Sequence, residues 1–213
     1  MGGVLSLNSI FANMIIKGPS FFLPNIEYFS KLQNAEKFVL DLNIKYTKQS
    51  FANRCYINGP HKIERLNVPI FKGSKYQRFS EVEISYVENW RQRNWRTIEN
   101  CYRKAPFFEF YEPYFREILL ESHHEKLYLL NNDILSLCLK LLQWNTTICH
   151  EISDIDHSFD IDYKKERKFS DDFTSKSYLQ NFGNEFVPNL SIIDLLFCKG
   201  PESGGILNKS NPN

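Results

Sequence analysis

The period of apolar and polar positions changes several times along the chain, and each change marks a predicted element. Residues 14–17 form a short apolar run stopped by Gly18 and Pro19, which predicts a first strand. Pro24 then suits the start of a helix carrying Ile26, Phe29, Leu32 and Ala35 on one face. The run 38–42 predicts a second strand. Strand, helix and strand within about 28 residues predict a βαβ unit with parallel pairing. Runs 53–57 and 63–70 flank Asn58 and Gly59, a pair that tolerates φ > 0 and predicts a tight hairpin. Residues 82–86 alternate and predict another strand.

Beyond residue 88 the period becomes helical. Trp95, Ile98 and Tyr102 share one face of a helix predicted over 90–103, which Ala105 and Pro106 should end. Residues 107–118 are aromatic and predict a helix with Pro113 as a boundary or kink. Residues 128–144 give the clearest helix, with Leu130, Ile134, Leu137, Leu141 and Leu142 facing the core and Asp133 near its start. A last helix is predicted over 190–198, with Asn189 as its N-cap. The mixed-charge stretch 153–177 predicts a mobile, solvated loop. The Gly, Ser, Asn and Pro of residues 204–213 predict a disordered tail. The predicted fold class is α/β, a mixed sheet with an N-terminal βαβ unit and hairpin, followed by a helical C-terminal half. A single domain is expected over 1–203, with an α/β lobe at 14–88 and a helical lobe at 89–203.

Composition narrows the function. The 213 residues include 18 Phe, 11 Tyr and 3 Trp, enough to dominate a core and to leave rings for stacking on a ligand. A net charge of +1 argues against a nucleic-acid partner. The five cysteines, at 55, 101, 138, 149 and 198, are scattered and form no C-x-x-C. A reducing cytosol is therefore expected rather than a disulfide framework or zinc site. Residues 1–16 lack the basic start of a signal peptide, and no run is long enough for a transmembrane helix. Phosphate-loop, dinucleotide and nucleophile-elbow motifs are absent from the sequence. His123 and His124 lack the spacing of a helical zinc site. Asp154, Asp156, Asp160 and Asp162 lack the glycine and closing glutamate of a calcium loop. No cofactor and no metal is expected.

Four clusters remain as candidate chemistry. Tyr46, Lys48, Gln49, Asn53 and Arg54 place a phenol, two cations and two amides between predicted strands, a set that can hold a phosphate, a carboxylate or sugar hydroxyls. Trp95, Arg96, Glu99 and Arg103 cluster on the 90–103 helix, where an indole can stack and a guanidinium can bind an anion. The rings between Tyr102 and Tyr114 form the third cluster, which reads mainly as core. In the fourth, Asn189, Ser191 and Asp194 interrupt an apolar run. A carboxylate there must find an internal partner, such as Arg54 or Arg96, or work in a cleft.

In this order the clusters resemble the WbqC-like family of bacterial proteins, found in O-antigen and other surface-polysaccharide gene clusters. The resemblance covers residues 19–202. It rests on Phe22, Leu23 and Pro24 with Tyr28 and Phe29; on Tyr46, Lys48, Gln49, Asn53, Arg54 and Cys55; on Trp95, Arg96 and Thr97; on Tyr102, Arg103 and Lys104; on the run 106–111; and on Tyr178, Gln180, Phe182 and 186–202. Ala52 departs from the family pattern, as do Gly18 and Pro19 where some members carry His-Gln. Residues 153–177 match poorly.

The resemblance implies a cytoplasmic protein of surface-glycan biosynthesis. Two functions follow as expectations. One is a transferase acting on a nucleotide-linked or amino sugar. Asp194 would be its base, Arg96 and Arg54 would hold the anion, Trp95 would stack, and Tyr46, Lys48, Gln49, Asn53, Tyr102, Gln180, Asn189 and Ser191 would line the site. The other is a non-catalytic binding or assembly protein of the same pathway. A small sugar ligand and a homo-oligomer are the expected partners.

Overall fold

A βαβ unit opens the fold, as the periodicity predicts. The computed structural model describes residues 14–73, 77–150, 157–158 and 173–210. Strand β1 (Met14–Gly18), helix α1 (Ile26–Leu32) and strand β2 (Ala35–Leu40) follow in order, and β1 pairs parallel with β2 from Ile15↔Lys37 to Gly18↔Leu40. Ala35 therefore opens a strand instead of closing the helix, because the left-handed turn at Asn34 (φ 65°) ends the helix and redirects the chain.

The hairpin of β3 (Arg54–Asn58) and β4 (Ile63–Asn67) pairs antiparallel from Arg54↔Asn67 to Asn58↔Ile63. Its turn differs from the expected one. Neither Asn58 nor Gly59 has positive φ, since the loop spans residues 59–62 and is closed by Gly59 N–H donating to Lys62 O at 3.1 Å. Gly59 is still required by close approach, because a Cβ there would stand 2.7 Å from Lys62 O.

Residues 82–86 form no strand. Val82 and Ile84 do point inward, but Ile84 meets only Ile70, and Glu83 only Lys126, as isolated bridges. Helices α2 (Trp90–Tyr102), α3 (Phe108–Arg116) and α4 (Leu127–Leu141) then build the helical half. Pro113 lies inside α3, and a wide π-type turn at Glu117–Glu121 follows it.

Two short parallel strands complete the sheet. β5 (Thr147–Cys149) pairs with β2, and β6 (His157–Ser158) pairs with β1, giving the order β5-β2-β1-β6 with all pairs parallel. The candidate calcium carboxylates and most of the expected loop at 153–177 lie outside the described residues.

The chain ends on α5 (Ile192–Lys199) and α6 (Ser203–Lys209). The expected disordered tail is thus helical through 209. Leu207 is fully buried and Ser210 Oγ accepts from Lys176 N–H at 2.9 Å, so tertiary contacts outweigh the poor helix propensity of Gly204 and Gly205. α5 is buried from Ile192 to Cys198 and packs on α1, α3, α6 and β3. Phe197 at its centre meets Tyr102, Phe108 and Phe115 at ring distances of 5.1 to 5.5 Å. Among the described residues no helix is long and apolar enough to cross a membrane, and no group of three potential metal ligands converges.

Candidate functional site

Strand order points to one edge of the sheet. From β1 the chain moves through β2 to β5, then jumps back to β6 on the far side of β1. In open parallel sheets the crevice outside the carboxyl ends of the strands, where the order reverses, is the candidate ligand site, and here that reversal falls between β1 and β6. Lys17 sits at that end of β1, and its Nζ pairs with Asp41 Oδ2 at 3.1 Å just past the end of β2. Asp41 N–H also donates to Gly18 O at 2.8 Å, so the two strand ends are tied together.

The loop after β1 is fixed from two sides. Phe22 N–H donates to Phe51 O at 3.0 Å, and the buried Asn131 of α4 donates through Nδ2 to Ser20 Oγ (3.2 Å) and Ala52 O (3.0 Å). The 46–54 cluster is thereby pinned against the carboxyl edge of β1. Within it Tyr46 is buried and stacked on Phe79 at 6.4 Å, and burial pushes its phenol up to about 12, opposed by the Arg54 guanidinium. Asn53 is also buried, donating to Val68 O at 2.7 Å. Lys48 and Gln49 are exposed, and Gln49 is held at φ 58°. Lys17, Asp41 and Asn131 escaped sequence reasoning, because only pairing of β1 with β2 brings the first two together.

Asp194 forms a second constellation. It is 0% exposed, and its carboxylate accepts from Tyr102 OH (2.7 Å), Tyr178 OH (2.6 Å) and Gln180 Nε2 (2.9 Å). The predicted arginine partner is therefore replaced by two phenols and an amide. Neutral donors satisfy a buried carboxylate without bringing a second ion out of water. Burial raises the pKa of Asp194, while its three hydrogen bonds act against that rise. Both phenols are pushed well above 10, first by burial and then by the Asp194 charge.

This knot ties down the segment that precedes α5. Gln180 Oε1 accepts from Val187 N–H at 2.8 Å, Asn181 Nδ2 donates to Cys101 O at 2.6 Å, and Asn58 Nδ2 donates to Phe182 O at 2.8 Å. Tyr178 was missed as a site residue. Its spacing of two from Gln180 in an extended segment was the available signal. Trp95 is buried, which leaves no ring face for a ligand, and Arg96 is exposed on α2. Gln180 and Asp194 are in contact, and no hydrogen bond links either to Arg54 or Arg96 among the described residues.

Asn189 has a different role from the expected one. It adopts φ 52° and caps α1, its Oδ1 accepting from Glu27 N–H at 2.9 Å, whereas Ser191 occupies the N-cap of α5. Asn25 Oδ1 accepts from Tyr28 N–H, and Leu190 O from Ile26 N–H, so three amides of the first turn of α1 are satisfied. Ser191 Oγ in turn donates to Leu23 O, and Ile192 N–H to Pro24 O, cross-stitching the two helix starts. Asn189→Ala should cost about 1–2 kcal/mol, more than Asn189→Gly, which keeps the left-handed backbone and loses only the acceptor. Urea unfolding of the two variants checks the order.

An α/β protein with a parallel sheet, a hairpin and a buried C-terminal carboxylate knot is the class these features define. The WbqC-like protein family matches residues 19–161 and 159–206, and the chain belongs to that family. A protein of Mycobacterium tuberculosis (strain ATCC 25618 / H37Rv), named as uncharacterized, is 26% identical over 216 residues, covering 86% of this chain and 93% of that protein. No solved structure matches the chain significantly.

Proposed function

We propose that this protein is a cytoplasmic transferase of surface-glycan biosynthesis, acting on a nucleotide-linked or amino sugar held at the carboxyl edge of the parallel sheet. The observation that carries the reading is the reversal of strand order between β1 and β6 beside Lys17 and the 46–54 loop. Lys17 and the exposed Lys48 supply cations for a phosphate, and Gln49 supplies an amide for sugar hydroxyls. Asp41 is solvent-reachable at this edge and is the carboxylate that takes a proton from an attacking hydroxyl or amine. Asp194 has no route to substrate and acts by fixing the segment around Gln180. Its expected role as base passes to Asp41.

A thermal-shift screen against sugar nucleotides, nucleoside triphosphates and acyl donors tests this. Ligand at 100 times its Kd should add about 2.7 kcal/mol of stability. A sugar-nucleotide shift that is lost in Lys17→Ala with Lys48→Ala, and kept in Arg96→Ala, supports the site. A shift that survives the double variant sinks it.

A second reading, a non-catalytic assembly protein, is favoured by one observation. Phe110 and Tyr114, 68% and 48% exposed, lie four residues apart on α3 and form an apolar strip. A second copy of the chain is the simplest partner for that strip. Sedimentation velocity of the wild type against Phe110→Asp would show it as loss of a dimer.

A further inference from the structure

The segment 82–86, which fails to become a strand, walls an open cleft of about 560 Å³, lined chiefly by Phe71, Glu83, Tyr86, Val87, His123 and Glu125. It shares no residue with the sheet edge or the Asp194 knot. Its frame is rigid. Backbone bonds join Phe71 N–H to Glu83 O (3.1 Å), Ile84 N–H to Glu125 O (2.9 Å) and Leu127 N–H to Val82 O (2.9 Å). Tyr86 OH donates to His124 O at 2.8 Å and accepts from His124 N–H at 3.3 Å. Arg91 covers a face of the ring, its guanidinium lying over it 5.3 Å from the ring centre and its Nη1 bonded to Leu120 O and Ser122 O. His123 stacks on Tyr86 at 4.5 Å.

The lining is amphipathic in a way that selects a ligand. Val87 is 88% exposed and Phe71 49%, so the rim keeps large apolar surface in water. Two carboxylates face the same space. Glu83 is held by Lys126 Nζ at 2.8 Å, while the Glu125 side chain meets no cation among the described residues. A size within the usual range for small-molecule sites, an apolar rim, a free ring face on Phe71 and one uncompensated carboxylate describe a receptor for a positively charged ring-sized molecule.

We infer that this cleft binds a small primary amine carried on a ring-sized body, of which an amino sugar is the probe of choice. The ammonium sits between Glu125 and Glu83, and the ring lies against Phe71. Lys126 competes with the ligand for Glu83. It therefore sets the affinity.

The test is a titration of the full chain with glucosamine at neutral pH, read from the imidazole proton resonances of His123, with N-acetylglucosamine as the uncharged comparator. Glucosamine should shift His123 saturably, and the acetylated sugar should bind at least about tenfold more weakly. Glu125→Gln, an exposed change that leaves the backbone bond to Ile84 intact, should weaken glucosamine about fivefold or more. Lys126→Met should tighten it about threefold by removing a cation that competes with the ligand for Glu83. Equal binding of the two sugars overturns the inference. So does unchanged affinity in Glu125→Gln, or saturation that leaves His123 unmoved. Loss of the sugar-nucleotide response in Lys17→Ala with Lys48→Ala leaves this titration unaltered, so the two sites are judged separately.

Discussion

Asp194→Ala is expected to destabilise the protein by about 2–5 kcal/mol, the cost of leaving buried donors without their acceptor. The carboxylate is wholly buried and receives three donors, Tyr102 OH, Tyr178 OH and Gln180 Nε2. Alanine leaves both phenols without an acceptor, while Gln180 Nε2 keeps Val187 O at 2.9 Å, and each orphaned phenol adds its own desolvation cost of about 1–3 kcal/mol. Tyr178→Phe in the Asp194→Ala background removes one orphan and should restore about 1 kcal/mol. Asp194→Asn keeps the shape and one acceptor. Its oxygen can serve Tyr178 and Gln180, but its amide then faces Tyr102 OH, which already accepts from Asn58 N–H at 3.1 Å. Asparagine should therefore cost less than alanine, about 1–3 kcal/mol. Urea titrations followed by tryptophan fluorescence give both values. A loss below about 1 kcal/mol for alanine would mean that the knot is not formed in solution.

The pH dependence of this network runs against the usual acidic side chain. Burial raises the Asp194 pKa above its unfolded value, so the folded chain holds the proton more tightly than the unfolded one. Stability from this group is therefore greatest below the unfolded value of about 3.9. It falls as pH rises towards the raised folded value, and is constant above that. The stability gap between wild type and Asp194→Asn should widen as pH drops through this window.

How much of this was legible in the sequence depended on whether the signal was local. The βαβ unit, the hairpin, α2 and α4 follow from periodicity, because each buries a face against whatever the fold provides. Residues 82–86 show the limit. Their alternation correctly places Val82 and Ile84 inside, but a strand also needs a partner along its length, and here only single bridges form. β5 and β6 are too short to show a period and exist because β2 and β1 offer edges to them. For Asp194, the apolar run of 190–197 announced a buried carboxylate. It could not announce its partners, which come from 92 and 16 residues away for Tyr102 and Tyr178. Reasoning from charge alone favoured an arginine, and the fold used neutral donors. The same non-locality hid the Lys17–Asp41 pair, which no spacing rule connects.

Gly200→Ala is expected to be nearly as damaging, for a steric reason. Gly200 closes α5 at φ 51°, ψ −122°, a region open almost only to glycine. Forcing another residue there costs about 1–3 kcal/mol in backbone strain. A Cβ at this position would also lie 2.4 to 2.6 Å from three carbons of the Phe107 ring. That ring cannot simply withdraw. Phe107 N–H is bonded to Phe197 O at 3.0 Å, and the ring packs near Phe110 (6.3 Å) and Tyr111 (6.4 Å). Overpacking adds about 1–3 kcal/mol, for a total near 4. At about 2–4 °C per kcal/mol for a chain of this size, the melting temperature should fall by roughly 10 °C. Gly205→Ala is the internal control. It lies in α6 with nothing within 4 Å of its would-be Cβ, so it should stabilise by about 0.5–1 kcal/mol. Phe107→Ala combined with Gly200→Ala should recover the clash but not the backbone strain, which separates the two causes. Because Gly200 ends the helix that carries Asp194, the same substitution should also loosen the knot, visible as faster hydrogen exchange at the Asn58 amide. Melting within a degree or so of wild type would show that residue 200 does not hold this geometry.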